Sequence, residues 1–178
     1  YSAAQYTDEL SSCNFVMRKG AVEAIGGWNE KYWPGEDTLL CTEMRKMNMK
    51  MIEAPDVLVY HHRRPLWIPH LSQVFGYGIH RGLFARKFGG TSLKPKYFMP
   101  SFLLVGFLSF LLCSIWSAVA FYSSLTLLSM YLLGDLLAAL MQTQDPRMVP
   151  LLLAGIPLTH LTYGIAFVIG LLKDDLNR

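Results

Sequence analysis

A break in polarity near residue 98 constrains this chain more than any motif in it. Residues 1–97 carry nearly all the charge. Residues 98–172 are almost uniformly apolar, and besides tyrosine and cysteine hold only Asp135, Asp145, Arg147 and His160 as ionisable side chains. An apolar helix of ~20 residues, at ~1.5 Å rise each, crosses the ~30 Å hydrocarbon core of a bilayer. The second part therefore reads as membrane-embedded, and the first as a polar module beside it. Three spans are expected, at about 100–122, 124–141 and 148–172, with a very short Ser123-Ser124 break between the first two. The expected division is a polar module at 1–65, an interfacial helix and linker at 66–97, a transmembrane region at 98–172 and a tail at 173–178.

Charge sharpens this division. The net charge is +3, and Arg81, Arg86, Lys87, Lys94 and Lys96 cluster just before the first apolar run. Basic residues flanking a span mark the cytoplasmic side and attract anionic headgroups, so the implied partner is membrane lipid and not nucleic acid. Cys13, Cys41 and Cys113 are odd in number and lack metal-site spacing. They imply no disulfide framework, which fits a reducing cytosol. The opening is polar, without a cleavable signal pattern. The chain starts at Tyr1 rather than Met, and its polar part is short for an independent core. A fragment of a longer protein, with a core begun upstream, is the expectation.

Local patterns then give elements. Ser12 to Arg18 reads as a short strand, and Lys19 to Ile25 as a short helix stopped by Gly26-Gly27. Glu36 to about Met47 reads as a helix, acidic in its first turn and basic in its last, the order that complements the helix dipole. Met51-Ile52 and Val57 to Tyr60 read as strands around Pro55-Asp56. Pro69 to Phe88 reads as a basic amphipathic helix lying in the membrane interface. Gly76, Gly78 and Gly82 weaken it as an isolated helix, by ~1 kcal/mol each relative to Ala. The same glycines would let another backbone approach closely.

The pair Glu36-Asp37 carries the chemistry. On the helix alone, Asp37 is a capping carboxylate that satisfies free backbone N–H groups. The order of features around it supports a second reading. A segment with Asn14 and Arg18 is followed by Gly26-Gly27-Trp28-Asn29-Glu30, then Gly35-Glu36-Asp37, then a run ending in His61-His62-Arg63-Arg64. Over residues 10–100 this resembles the C-terminal half of the catalytic domain of family 2 glycosyltransferases. The similarity is to the membrane-bound branch that builds bacterial polysaccharides and glycolipids.

The resemblance implies an α/β fold, the C-terminal part of a GT-A Rossmann-like domain, followed by an α-helical transmembrane bundle. It implies an inverting enzyme of the inner membrane with its catalytic part in the cytoplasm. Such an enzyme moves a sugar from a nucleotide-sugar donor to a lipid-linked or glycan acceptor. Asp37 is then the base that takes the acceptor hydroxyl's proton, and Glu36 positions acceptor or loop. The family often has a further Asp two residues after the base, where this chain has Leu39. Gly26 and Gly27 would form a tight loop beneath the acceptor. Trp28 is either a platform for a sugar face or a core residue. His61 and His62 either border the membrane or, by resemblance, supply one ligand to a divalent cation, Mn²⁺ or Mg²⁺. Arg63 and Arg64 would brace diphosphate or lipid phosphate.

Two departures narrow the reading. Processive synthases carry Gln-x-x-Arg-Trp at the interfacial helix, but after Gln73 this chain has Gly76 and Tyr77 in the Arg and Trp places. That favours transfer of a single sugar over polymer extrusion. The chain also has no Asp-x-Asp and no glycine-rich phosphate loop. The nucleotide-binding half is therefore expected upstream, and these 178 residues alone are expected to show no turnover. The competing reading is a non-catalytic anchoring or assembly module that binds a partner or glycolipid. Within the spans, Asp135 and His160 fall near the same mid-depth and are expected either to pair or to turn separately toward helix contacts.

Overall fold

The structure, a computed structural model, describes residues 4–176. Residues 1–3 and 177–178, the ends of the expected polar module and tail, lie outside the described residues. Along the chain come β1 (Gln5–Thr7), α1 (Lys19–Ala24), α2 (Glu36–Lys46), β2 (Met51–Glu53), α3 (Ile68–Lys87), α4 (Met99–Cys113), α5 (Ala118–Gln142) and α6 (Val149–Leu172). The expected α/β fold is overturned: the molecule is 68% helix and 3% strand, with no Rossmann-like sheet. The sheet is one antiparallel pair, in which Tyr6 faces Ile52 and Thr7 faces Met51.

The misread strands have a common cause. A strand is stable through neighbours that take its hydrogen bonds and pack its side chains. Val57 to Tyr60 pairs with no strand among the described residues, has only the Asn14 side-chain amide bonding the Val57 carbonyl from outside, and runs exposed, with Tyr60 101% accessible. Ser12–Asn14 forms a tight 3-10 turn instead of a strand, capped by the Ser11 hydroxyl accepting from the Cys13 N–H. The reading of α1, α2 and β2 agrees with the structure to within a residue or so at each end.

α2 joins two small cores. Leu39 packs with Tyr32, Leu83 and Phe84 toward α3. Cys41 and Met44 pack with Met51 of β2 on the other side. Tyr32, Phe84 and Phe88 meet edge-to-face at 5.2–5.7 Å between ring centroids, the geometry aromatic quadrupoles favour. The polar module is thus fastened to α3 by rings.

α3 runs in step with α6. His70 meets Thr159, Gly78 meets Ala166, Gly82 meets Leu171 and Arg86 meets Asp174, an offset of 88 or 89 residues throughout. A constant offset means parallel helices. A Cβ on Gly78 would lie 2.6 Å from the Ala166 Cβ, and one on Gly82 would fall on the Phe167 carbonyl oxygen. From the other helix, a Cβ on Gly170 would strike the Ile79 carbonyl oxygen. Gly76 faces only Pro34, at 4.0 Å. The seam is backbone against backbone, which only glycine permits.

The break between the first two apolar helices lies at 114–117, not at Ser123-Ser124. The Ser117 hydroxyl caps α5 by accepting from the Ala120 N–H. The Ser124 hydroxyl instead donates to the Ala120 carbonyl at 2.8 Å, so a serine sits inside the helix without ending it. α4 is left with 15 residues, ~22 Å long and short of a bilayer core. α5 and the stretch Pro146–Leu172 are long and apolar enough to cross a membrane, by length and composition. Three crossings would have put residues 173–178 on the far side. Instead Asp174 pairs with Arg86 at 2.9 Å, and Asp175 pairs with Lys31 and Lys87. The end of α6 lies beside the polar module.

Candidate functional site

Asp37 stands in the first turn of α2, half-buried. Its Oδ1 accepts from the Thr38 N–H at 2.7 Å, and its Oδ2 from the Ser12 N–H at 3.3 Å. The Glu36 carboxylate accepts from the Gly35 N–H at 2.8 Å. Both side chains thus cap backbone donors at the start of the helix. The Oδ2 bond is the longer one, which leaves that oxygen the more available of the two.

Asp37 also lines a cavity of about 320 Å³ between α2, α3 and α6. A charged network forms one wall. Arg81 Nη2 bonds Glu9 Oε1 at 2.7 Å, the Thr38 hydroxyl donates to the same oxygen at 2.8 Å, and the Tyr97 hydroxyl donates to Oε2 at 3.2 Å. The Arg81 guanidinium lies over the Tyr97 ring, 4.3 Å from its centroid, a cation–π contact. Burial alone would raise the Glu9 carboxyl, but the Arg81 hydrogen bond and charge, with Thr38 and Tyr97, hold it below its ordinary value. Burial chiefly pushes the Tyr97 phenol up, which keeps it a neutral donor to Glu9.

His80 forms the facing wall. It is 8% exposed, and its ring lies against the start of α2: a Cβ on Gly35 would sit 3.2 Å from His80 Cδ2. His80 Nδ1 is 2.6 Å from the Gly76 carbonyl oxygen, which only accepts. Nδ1 therefore carries the proton, and in the neutral ring Nε2 is an acceptor. Nε2, Arg81 Nη1 and the Tyr163 hydroxyl are buried without a protein partner.

The other expected residues lie elsewhere. Gly26 and Gly27 terminate α1 in left-handed conformations, at φ 79° and 82°. The Gly26 N–H bonds the Glu23 carbonyl and the Gly27 N–H the Val22 carbonyl, a Schellman cap. They and Trp28 line a second cavity of about 600 Å³ on the opposite flank of α2, which shares no lining residue with the first. Trp28 is 40% exposed and meets Phe15 edge-on at 6.1 Å, so it is a lining residue and not a core one. His61, His62, Arg63 and Arg64 lie exposed on the segment between β2 and α3, and none forms a hydrogen bond or ion pair among the described residues.

A divalent cation does not fit this donor set. Among the described residues no three His, Cys, Asp or Glu side chains gather as a site, and His61 and His62 have no carboxylate companion. One imidazole is a small part of the coordination Mn²⁺ or Mg²⁺ requires.

Sequence reasoning missed Glu9, Tyr97 and Tyr163, gave His80 no role in a site, and read Arg81 as one of the basic residues flanking the first apolar run. One signal was present: His80-Arg81 sits between Gly78 and Gly82, so side chains that mark a wet surface stand where a helix contact is expected. No protein-family model, no curated protein and no solved structure matches this chain.

Proposed function

We propose that this chain is the acceptor-side and membrane part of an inverting glycosyltransferase. It moves a sugar from a nucleotide-sugar donor to a lipid-linked or glycan acceptor at the cell membrane. The reading is carried by one observation: Asp37 lines a cavity whose other walls are the glycine-packed helices α3 and α6. An acceptor hydroxyl in that cavity meets Asp37 Oδ2 while its lipid carrier stays beside the apolar helices. The carboxylate takes the proton as the hydroxyl oxygen attacks the anomeric carbon, and the nucleotide diphosphate leaves with the bonding electrons. The sequence has no glycine-rich phosphate loop, and among the described residues no three side chains gather as a cation site, so on this reading another part of the protein binds the nucleotide. The cationic residues Arg86, Lys87, Lys94 and Lys96, just ahead of α4, suit the cytoplasmic face.

The test is Asp37→Asn in the intact protein reconstituted in lipid. The readout is transfer of label from a panel of radioactive UDP-hexoses into extractable lipid. Loss of a general base lowers turnover ~10²–10⁴-fold. Unchanged turnover would overturn the reading. A second reading, a non-catalytic anchoring or assembly module, is favoured by the capping bonds of Glu36 and Asp37 to Gly35, Ser12 and Thr38. On that reading Asp37→Asn lowers thermal stability, by about 1 kcal/mol for a lost cap, and the intact protein transfers no label before or after.

A further inference from the structure

Buried polar groups in native proteins are nearly always hydrogen-bonded, and each exception calls for an explanation. Three exceptions belong to residues lining the cavity beside Asp37: His80 Nε2, Arg81 Nη1 and the Tyr163 hydroxyl. They come from two different helices, and His80 is itself more than nine-tenths buried. No protein group completes them; each atom is closed off as it stands and reaches a partner once its side chain turns toward the cavity, where a guest is the natural one.

The kind of guest follows from the donor and acceptor pattern. Arg81 Nη1 can only donate, the Asp37 carboxylate can only accept, His80 Nε2 accepts in the neutral ring and donates in the charged one, and the Tyr163 hydroxyl does both. A phosphate offers mostly acceptors, with few P–OH donors at neutral pH, and its charge would be repelled by Asp37 and by Glu9, whose charge already offsets that of Arg81. Hydroxyl groups donate and accept at once and match every group in the set. The remaining lining is rich in flat rings, Tyr77, Phe84 and Tyr97 among them, which suit the C–H face of a pyranose better than a flexible lipid alcohol. The volume, about 320 Å³, is at the small end of ligand pockets, roughly 300–1,000 Å³, and suits one ring rather than a nucleotide sugar.

We infer that this cavity binds a single uncharged sugar ring through His80, Arg81 and Tyr163. That this ring is the acceptor rests on the transferase reading above; that it binds does not.

Tyr163→Phe is the sharpest variant, because the hydroxyl it removes has no protein partner. The full chain in lipid nanodiscs is titrated with the methyl glycosides of glucose, galactose, mannose and N-acetylglucosamine, followed by saturation-transfer NMR. Inorganic phosphate and farnesol serve as competing arms. At least one glycoside binds saturably, and neither phosphate nor farnesol displaces it. Tyr163→Phe unfolds at the parent's temperature or above it and binds that glycoside about tenfold more weakly, the loss expected for one hydrogen bond. The inference is overturned if no glycoside binds, if phosphate or farnesol binds in its place, or if Tyr163→Phe binds as tightly as the parent. Asp37→Asn in the intact protein separates the two readings, because its amide oxygen still accepts from a hydroxyl while the base is gone: turnover is lost and the glycoside, held by His80, Arg81 and Tyr163, remains. Normal turnover in Asp37→Asn would sink the transferase reading while leaving the sugar site standing.

Discussion

α6 has two long neighbours and contacts them in opposite ways. Against α3 it presents Ala166 and Gly170 and receives Gly78 and Gly82, so the two backbones touch along a parallel seam. Against α5 the side chain of Tyr131 meets His160 Nδ1 at 2.9 Å, the hydrogen bond between the two helices among the described residues. Gly134 of α5 has nothing within 4 Å of where its Cβ would be. The seam with α3 specifies one register, because any side chain there collides with backbone. The face toward α5 specifies little more than apolarity. The cavity beside Asp37 is built against the first of these contacts, where position is held most tightly.

The largest expected effect tests that contrast directly. Gly82→Ala must push α3 off Phe167 and Leu171. Overpacking of this kind costs about 1–3 kcal/mol and sometimes more, against a helix-propensity gain of about 1 kcal/mol. Because the added Cβ falls on the Phe167 carbonyl oxygen, the cost lies at or above the top of that range, and we expect a net loss of at least about 2 kcal/mol in detergent unfolding of the full chain. Gly134→Ala should leave stability unchanged or raise it by up to about 1 kcal/mol. Equal responses at the two positions would break the comparison.

The same contrast explains what could be read in the sequence. Lengths, polarity and caps are local properties, and α1, α2, β2, α3 and α6 follow from them, whereas the break between α4 and α5 falls in a uniformly apolar stretch and was placed too late. Gly78 and Gly82 were legible as close-approach positions because glycine in a helix needs a reason. The sheet was not legible, since Val57 to Tyr60 has strand composition but lacks an edge to join, and composition does not record that lack. Asp37 was visible from its place in the first turn of a helix. Its cavity was not, because Glu9, Arg81, Tyr97 and Tyr163 are scattered along the chain and meet only once α3 lies against α6. Gly26, Gly27 and Trp28 are near Asp37 in sequence but on the other flank of α2, a separation set by the helical turn.

The Glu9–Arg81 pair supplies the next effect, on the α3 side of the comparison. The folded carboxyl titrates below its ordinary value of 4.5. Its contribution is therefore complete above that value and is lost as pH falls through the folded one. Breaking a fully buried pair costs about 3–5 kcal/mol and an exposed one about 0–1 kcal/mol. With both side chains about one-fifth exposed, we expect Glu9→Gln to cost about 2 kcal/mol at pH 7. The variant should also lose stability less steeply than the parent as pH falls from the carboxyl's ordinary 4.5 through its lower folded value. Parallel pH profiles would show that Glu9 is not the acid-sensitive tie.

The smallest effect lies on the α5 side and decides which partner His160 has. Depth in the sequence left a pair with Asp135 open beside separate helix contacts, and the hydrogen bond goes to Tyr131, one helical turn earlier on the same face. Both Asp135 carboxylate oxygens are buried without a partner. Interhelical hydrogen bonds between spans contribute about 0.6 kcal/mol on average and up to about 1.7 kcal/mol. A double-mutant cycle of Tyr131→Phe with His160→Phe should therefore give a coupling of about 0.6–1.7 kcal/mol. The cycle of Asp135→Asn with His160→Phe should give less. Larger coupling at position 135 would restore the depth-matched pair and make that contact an ionic one. Coupling at neither position would leave α5 held by apolar packing alone, and the contrast with the glycine seam would be wider still.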